Sequence, residues 1–267
     1  MKSASGSISG DPIRLVDRRQ GLESPPETTR DIDRTYKCDM TIPGTDVDDH
    51  DAPPSMARSS LLRELPTTQR GLRTRGALVA AARKVFERNG YLDTRLVDIT
   101  KAAKCSSGTF YTYFASKEEI FAAVLEVAQE DMMHPGMPRV AEDADPARII
   151  AASNRAYFLA YERNAKLMGL LEQVANIDPE FARLRRNRAE AFVVRNARSI
   201  ENLQERGLAD ADLDPMLASR ALSSMVSRLA FHHFVAGADE VDRAPLDEVI
   251  DTATRLWVNA LRIPSGE

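Results

Sequence analysis

Between Ser106 and Tyr113 the chain crowds six hydroxyl-bearing side chains: Ser106, Ser107, Thr109, Tyr111, Thr112 and Tyr113. Phe110 and Phe114 stand four apart, so they share one face of the short helix this stretch predicts, and that face belongs to a core. The rest of the surface carries alcohols and phenols and no charge, whereas an idle solvated helix ordinarily carries Lys and Glu. Such groups suit the major groove of duplex DNA. Ser and Thr bond base edges or phosphate oxygens, and Tyr reaches phosphates or packs on sugar and thymine methyl groups. Gly108 removes a side chain where the backbone can approach a phosphate or a neighbouring helix.

A helix this short must be held by others. Leu96, Ile99 and Ala103 are spaced three then four and make one apolar face, with Arg95, Thr100 and Lys101 opposite. Only Lys104 and Cys105 separate this helix from the next. Two helices so short and so closely joined cross steeply and need a third partner. Leu78, Ala82, Val85 and Phe86 supply it, and the expected geometry is a helix-turn-helix. Ser116-Lys117-Glu118-Glu119 reads as a capping box whose free N–H groups, with Lys117, form a phosphate-binding end. Thr94 or Asp93 is expected to cap the helix before it. Arg70, Arg73 and Arg75 precede or open the first helix, as solvated groups or as an arm to an adjacent phosphate or minor groove.

Charge singles out the same region. Residues 67–117 hold ten Lys and Arg against Glu87, Asp93 and Asp98, a net +7 in a chain of net −4. A basic module within an acidic chain points to a polyanion partner for that module alone. Residues 1–66 hold 7 of the 14 prolines and one aromatic, Tyr36, and are expected to be a disordered extension. Met56 is a candidate true start. Apolar residues elsewhere recur at three and four. The expected helices are 70–90, 95–103, 107–114, 117–133, 146–163, 165–175, 179–206, 214–236 and 245–262, with Pro146, Pro179, Pro215 and Pro245 in first turns. The fold class is all-α.

The stretch from Thr74 to Phe121 resembles the DNA-binding domain of TetR-family transcriptional regulators. The likeness lies in Val85-Phe86-Glu87-Arg88-Asn89-Gly90-Tyr91, in Thr94 and Asp98-Ile99, and in Ser106-x-Gly108-Thr109-Phe110-Tyr111-x-Tyr113-Phe114-x-Ser116-Lys117-Glu118-Glu119-Ile120. The resemblance implies an N-terminal three-helix helix-turn-helix domain (residues 67–121) plus a C-terminal helical ligand-binding and dimerisation domain (122–267), about nine helices in all. Carried over by position, Ser106, Ser107, Thr109, Tyr111, Thr112 and Tyr113 match the family's recognition helix. Thr94 and Lys117 match its usual phosphate contacts, and Arg95 stands beside them. Lys104-Cys105-Ser106 departs from the Gly-Val-Ser common at the family's turn. Cys105 replaces Val as a small buried apolar group, while Lys104 faces a left-handed turn at a cost on the order of 1 kcal/mol.

The C-terminal part is expected to dimerise through its last two helices, with Leu222, Met225, Leu229, Leu256, Trp257 and Leu261 at the interface. Small residues around Leu222 permit close approach across a two-fold axis. Phe158, Tyr161, Met168, Glu172, Phe192 and Met225 are expected to line a ligand pocket between helices. The run Arg183, Arg185, Arg186, Arg188, Arg195 and Arg198 is either a solvated face or a receptor for an anionic group. His232 and His233 point about 100° apart on a helix and cannot grip one metal together.

Other classes are disfavoured. The longest charge-free stretch, Cys105–Ser116, is too short to span a bilayer, and the first residues show no secretory h-region. Cys38 and Cys105 make no disulfide framework, and no Cys/His spacing suits zinc. A Gly-rich phosphate loop and a nucleophile elbow are missing, so no cofactor and no enzymatic activity are expected. The sequence therefore reads as a cytoplasmic homodimeric repressor, nucleoid-associated when bound, that holds a near-palindromic double-stranded DNA operator and is released by a small, mainly apolar effector. The alternative is a DNA-binding regulator without such an effector, governed by a protein partner or acting architecturally.

Overall fold

The computed structural model describes residues 65–135, 145–238 and 242–264. The extension expected at residues 1–66 falls outside these apart from Leu65 and Pro66, and so does Met56. Among the described residues the regular structure is helical: α1 (Gln69–Asn89), α2 (Leu96–Ala102), α3 (Ser107–Tyr113), α4 (Lys117–Met133), α5 (Pro146–Ala175), α6 (Pro179–Glu205), α7 (Pro215–Phe231) and α8 (Leu246–Ala260). A π-helical turn, His232–Ala236, continues α7.

Local chemistry sets most of these boundaries. Ser106 and Ser116 cap α3 and α4, their hydroxyls accepting from the amides of Thr109 and Glu119. Asp145, Asp178 and Asp214 cap α5, α6 and α7, each followed by Pro in the first turn. Pro245 occupies the cap position of α8 rather than its first turn.

One expected break is missing. The segments anticipated at 146–163 and 165–175 form a single 30-residue helix, so among the described residues eight α-helices replace the nine expected. Asn164 lies at the anticipated gap and is completely buried. Its amide nitrogen donates to the Ala160 carbonyl and to the Asp131 carboxylate of α4, both at 2.8 Å. The two donors of its side-chain amide are thus used inside the helix, while its Oδ1 is buried without a partner.

In the N-terminal part, α1 packs on α2 and α4, and α2 on α3. Leu78, Ala82, Val85 and Phe86 of α1 enclose Ile99 of α2, Phe110 of α3 and Phe114. Ile120 and Phe121 of α4 close the same core, which continues into α5 and α6 through Phe158 and Phe181. Farther along, α5 packs against α6, α7 and α8, and α7 lies along α6.

Candidate functional site

The turn between α2 and α3 aims the hydroxyl-bearing helix. Lys104 has φ +53, the left-handed conformation expected for it. The Cys105 amide donates to the Thr100 carbonyl at 3.0 Å and the Lys104 amide to that of Lys101 at 3.2 Å, which closes α2 in a Schellman motif. Cys105 is only partly buried, and burial pushes its thiol pKa up, away from reactivity.

With Phe110 and Phe114 fully buried, α3 turns Ser107, Gly108, Tyr111 and Thr112 outward. Tyr111 is 53% exposed despite its size. Ser107, Tyr111 and Tyr113 make no side-chain hydrogen bond among the described residues; the first two are exposed, while Tyr113 is half-buried against the core. Ser106 and Thr109 differ, because their hydroxyls pair with each other at 3.0 Å while capping the helix. The Thr112 hydroxyl folds back on the Gly108 carbonyl at 3.1 Å. A Cβ at Gly108 would meet only the Ser106 hydroxyl, at 3.7 Å. Of the two uses expected for this glycine, contact with a neighbouring helix is therefore excluded, and an open backbone surface remains.

Beside α3, Pro66, Thr67, Thr68, Gly71, Arg75, Thr112 and Tyr113 line a shallow concavity. Thr68 caps α1 by accepting from the Gly71 amide at 3.1 Å. A Cβ on Gly71 would stand 2.7 Å from Pro66 Cβ, so only glycine lets the arm fold against the helix here. Arg75 is not a free solvated group, since its guanidinium lies 5.1 Å from the centre of the Phe114 ring.

Thr94 and Lys117 stand differently from the sequence reading, while Arg95 keeps its exposed place. Thr94 is buried, its hydroxyl donating to the Gly90 carbonyl at 2.6 Å, and neither it nor Asp93 caps α2. Arg95 holds the cap position, where its amide donates to the Asp98 carboxylate at 3.2 Å, and its own side chain remains largely exposed. Hydrogen bonds from Arg95 hold the Asp98 carboxyl below the usual carboxylate range. Lys117 bends back over the Tyr91 ring at 4.5 Å and donates to the Tyr91 carbonyl at 3.0 Å. It latches the loop that precedes α2. Tyr91 in turn donates its hydroxyl to Glu118 at 3.1 Å, and burial with the Glu118 charge pushes its pKa well above the phenol range.

Residues 78–124 match the sequence profile of bacterial regulatory proteins, tetR family. Over 204 residues the chain is 26% identical to the HTH-type transcriptional regulator EthR of Mycobacterium tuberculosis, covering 74% of this chain and 93% of that one. Residues 78–124 thus carry a DNA-binding domain of the TetR type. A shorter match reaches 41% identity over 58 residues with the HTH-type transcriptional repressor NicS of Pseudomonas putida, 22% of this chain and 27% of that protein. Salmonella enterica GusR has the same fold, with a TM-score of 0.58 at 23% identity, over 73% of this chain and 98% of that one. TetR-family proteins are DNA-binding transcription regulators rather than enzymes, and α2 and α3 form a helix-turn-helix within the matched residues. No described helix is long and apolar enough to cross a membrane.

In the C-terminal part, Phe158, Tyr161, Met168 and Phe192 are buried, while Glu172 and Met225 are partly so. Glu172 pairs with Arg185. Of the expected interface residues, Leu222, Trp257 and Leu261 are buried within the single chain, Met225 and Leu229 are half-buried, and Leu256 is 45% exposed. His233 is buried and His232 exposed, which keeps the two apart as their adjacency required. The Lys117 latch and the Gly71 clamp were not legible in the sequence. Their only signals were a lysine at a helix start and a glycine within an otherwise ordinary helix.

Proposed function

We propose that this TetR-family regulator is a repressor that binds a near-palindromic operator as a homodimer and leaves it when a small, mainly apolar effector binds the C-terminal helices. The observation that carries the reading is the outward face of α3. Ser107 and Tyr111 present hydroxyls, with exposed Thr112 and half-buried Tyr113 beside them, around an open Gly108 and over a core of Phe110 and Phe114. Such a face fits a major groove, and Ser106 and Thr109 hold it rigid. Arg95, Lys101 and Lys104 stand exposed next to it, where phosphates flank a groove-bound helix. In this reading Thr94 and Lys117 act through position. Both secure the Gly90–Asp93 loop that orients α2, and backbone amides at the helix starts meet the phosphates.

Dimerisation through α7 and α8 is supported by the apolar groups left at their surface, Met216, Leu217 and Leu256, beside exposed Ala221 and Ser224. Two copies related by a two-fold axis present two α3 helices to successive major grooves about 34 Å apart. Repression is favoured by a 58-residue match to a relative named a repressor.

Mapping the sites occupied on the native genome, followed by gel shift on those sites, tests the whole reading. Specific retention that falls steeply with salt is expected, because many phosphates are contacted. A monomer indifferent to duplex DNA at low ionic strength defeats it.

A further inference from the structure

Two guanidinium groups lie inside the C-terminal helices without a carboxylate to neutralise them. Arg188 of α6 is only 7% exposed. Its Nη2 donates to the thioether sulfur of Met132 at 2.8 Å, and its Nε is buried with no hydrogen-bond partner. A thioether is a weak acceptor. Two turns along α6, Arg195 donates Nη1 to the Met133 carbonyl at 2.9 Å. Burial draws its pKa below the usual arginine range. Both guanidinium groups lie over the Phe192 ring, at 5.6 and 5.1 Å from its centre.

Several other arginines are paired with carboxylates: Arg163 with Asp131, Arg185 with Glu172, Arg220 with Glu190, and Arg155 with Asp247. Arg188 and Arg195 have no such partner among the described residues. Buried charges are ordinarily paired, since leaving water uncompensated is expensive. A cation left in this state gains from any anion that reaches it.

The surroundings suit an apolar body attached to that anion. The Tyr157 ring meets Phe192 at 5.5 Å and Tyr161 at 5.9 Å, and Phe234 stacks on Tyr161 at 6.1 Å. Phe234 belongs to the π-helical turn, an irregularity found mostly at functional sites. A polyphosphate would need more cations than these two, and Arg183 and Arg185 already pair with Glu180 and Glu172.

We propose that the effector is a compact apolar carboxylate whose headgroup is received by Arg188, with Arg195 beside it. Its body lies against Phe192, Tyr157, Tyr161 and Phe234. The inference rests on the effector reading above and names its chemical class. The carboxylate displaces the flexible Met132 side chain and takes two parallel N–H bonds, one of them from the orphaned Nε. Because Met132 and Met133 end α4, and Lys117 and Glu118 begin it, capture of the anion bears on the helix that latches the reading head.

The test uses the full chain with hexanoate, decanoate and phenylpropanoate, each beside its uncharged primary amide, followed by thermal shift, calorimetry and operator release. At least one acid raises the melting temperature by mass action, and its amide binds at least about tenfold more weakly. Arg188→Met removes that preference without lowering the unliganded melting temperature, because an apolar replacement of an unpaired buried cation is neutral or stabilising. Arg188→Lys keeps part of the preference. If Arg188→Met does not fold, Arg188→Lys and Arg195→Gln carry the same comparison. Acid and amide binding alike, or an acid response undiminished in both Arg188 variants, overturns the carboxylate assignment and leaves the effector reading standing. If neither acids nor amides bind while the operator is held, the carboxylate site falls with the effector reading; loss of operator binding by the unliganded protein instead refutes the regulator reading itself.

Discussion

The Phe181 ring, in the first turn of α6, lies 5.3 Å from that of Phe121 and 6.0 Å from that of Tyr91. The C-terminal helices and the reading head thus share one aromatic cluster, since Tyr91 and Phe121 also contact Phe86 of α1. Phe181 is fully buried. Its truncation in Phe181→Ala is expected to cost about 3–5 kcal/mol, read as a lower midpoint in denaturant. A loss below about 1 kcal/mol means that the junction is not continuous core.

Gly108 separates folding from recognition. Its Cβ position is open and it sits within α3, so Gly108→Ala should match or exceed the parent's thermal stability, as alanine favours helix by up to about 1 kcal/mol. If the backbone there approaches DNA, operator affinity drops about tenfold or more. Equal affinity shows that no phosphate or base comes near.

Tyr111 and Lys117 are expected to fail in different ways. Tyr111→Ala removes an exposed ring and should weaken operator binding with little change in melting temperature. Lys117→Ala loses two carbonyl contacts and a ring contact that latch the Gly90–Asp93 loop. It should lower both affinity and melting temperature, the latter by roughly 1 kcal/mol of stability. A Lys117 variant with unchanged melting and a shallower salt slope instead makes Lys117 a direct phosphate contact.

Lys104 occupies a backbone conformation that glycine adopts without cost. Lys104→Gly is expected to stabilise the chain by a few tenths to about 1 kcal/mol, offset in part by the freer unfolded chain. Because the lysine is exposed beside α3, the same change should also reduce the salt dependence of DNA binding.

Asp131 gives the chain an acid-sensitive joint. Burial raises its pKa, but hydrogen bonds from Arg163 and Asn164 outweigh that and hold the carboxyl below its ordinary value of 3.8. A depressed folded-state pKa contributes stability above the unfolded value, which is lost as pH falls through and below 3.8. Melting temperature measured against pH should therefore decline in that range, and the decline should be shallower in Asp131→Asn.

What the sequence determined by itself was whatever neighbours along the chain can settle. Ser106 and Ser116 cap helices within three residues, Asp-Pro pairs start others, and the four-residue spacing of Phe110 and Phe114 assigns the faces of α3. The all-helical class, the reading head and the strained Lys104 were legible for that reason. Contacts between distant residues were not. Asn164 stays helical because Asp131, 33 positions away, accepts its amide. Thr94 turns inward to Gly90, Lys117 is drawn across to Tyr91, and Leu222, Trp257 and Leu261 are covered by their own chain. Within a run of six arginines only the packing of α6 against α4, 56 positions apart at Arg188 and Met132, decides which guanidinium leaves water. Periodicity places a side chain on a face, and the partner that meets that face decides whether its charge is solvated, paired or left waiting for a ligand.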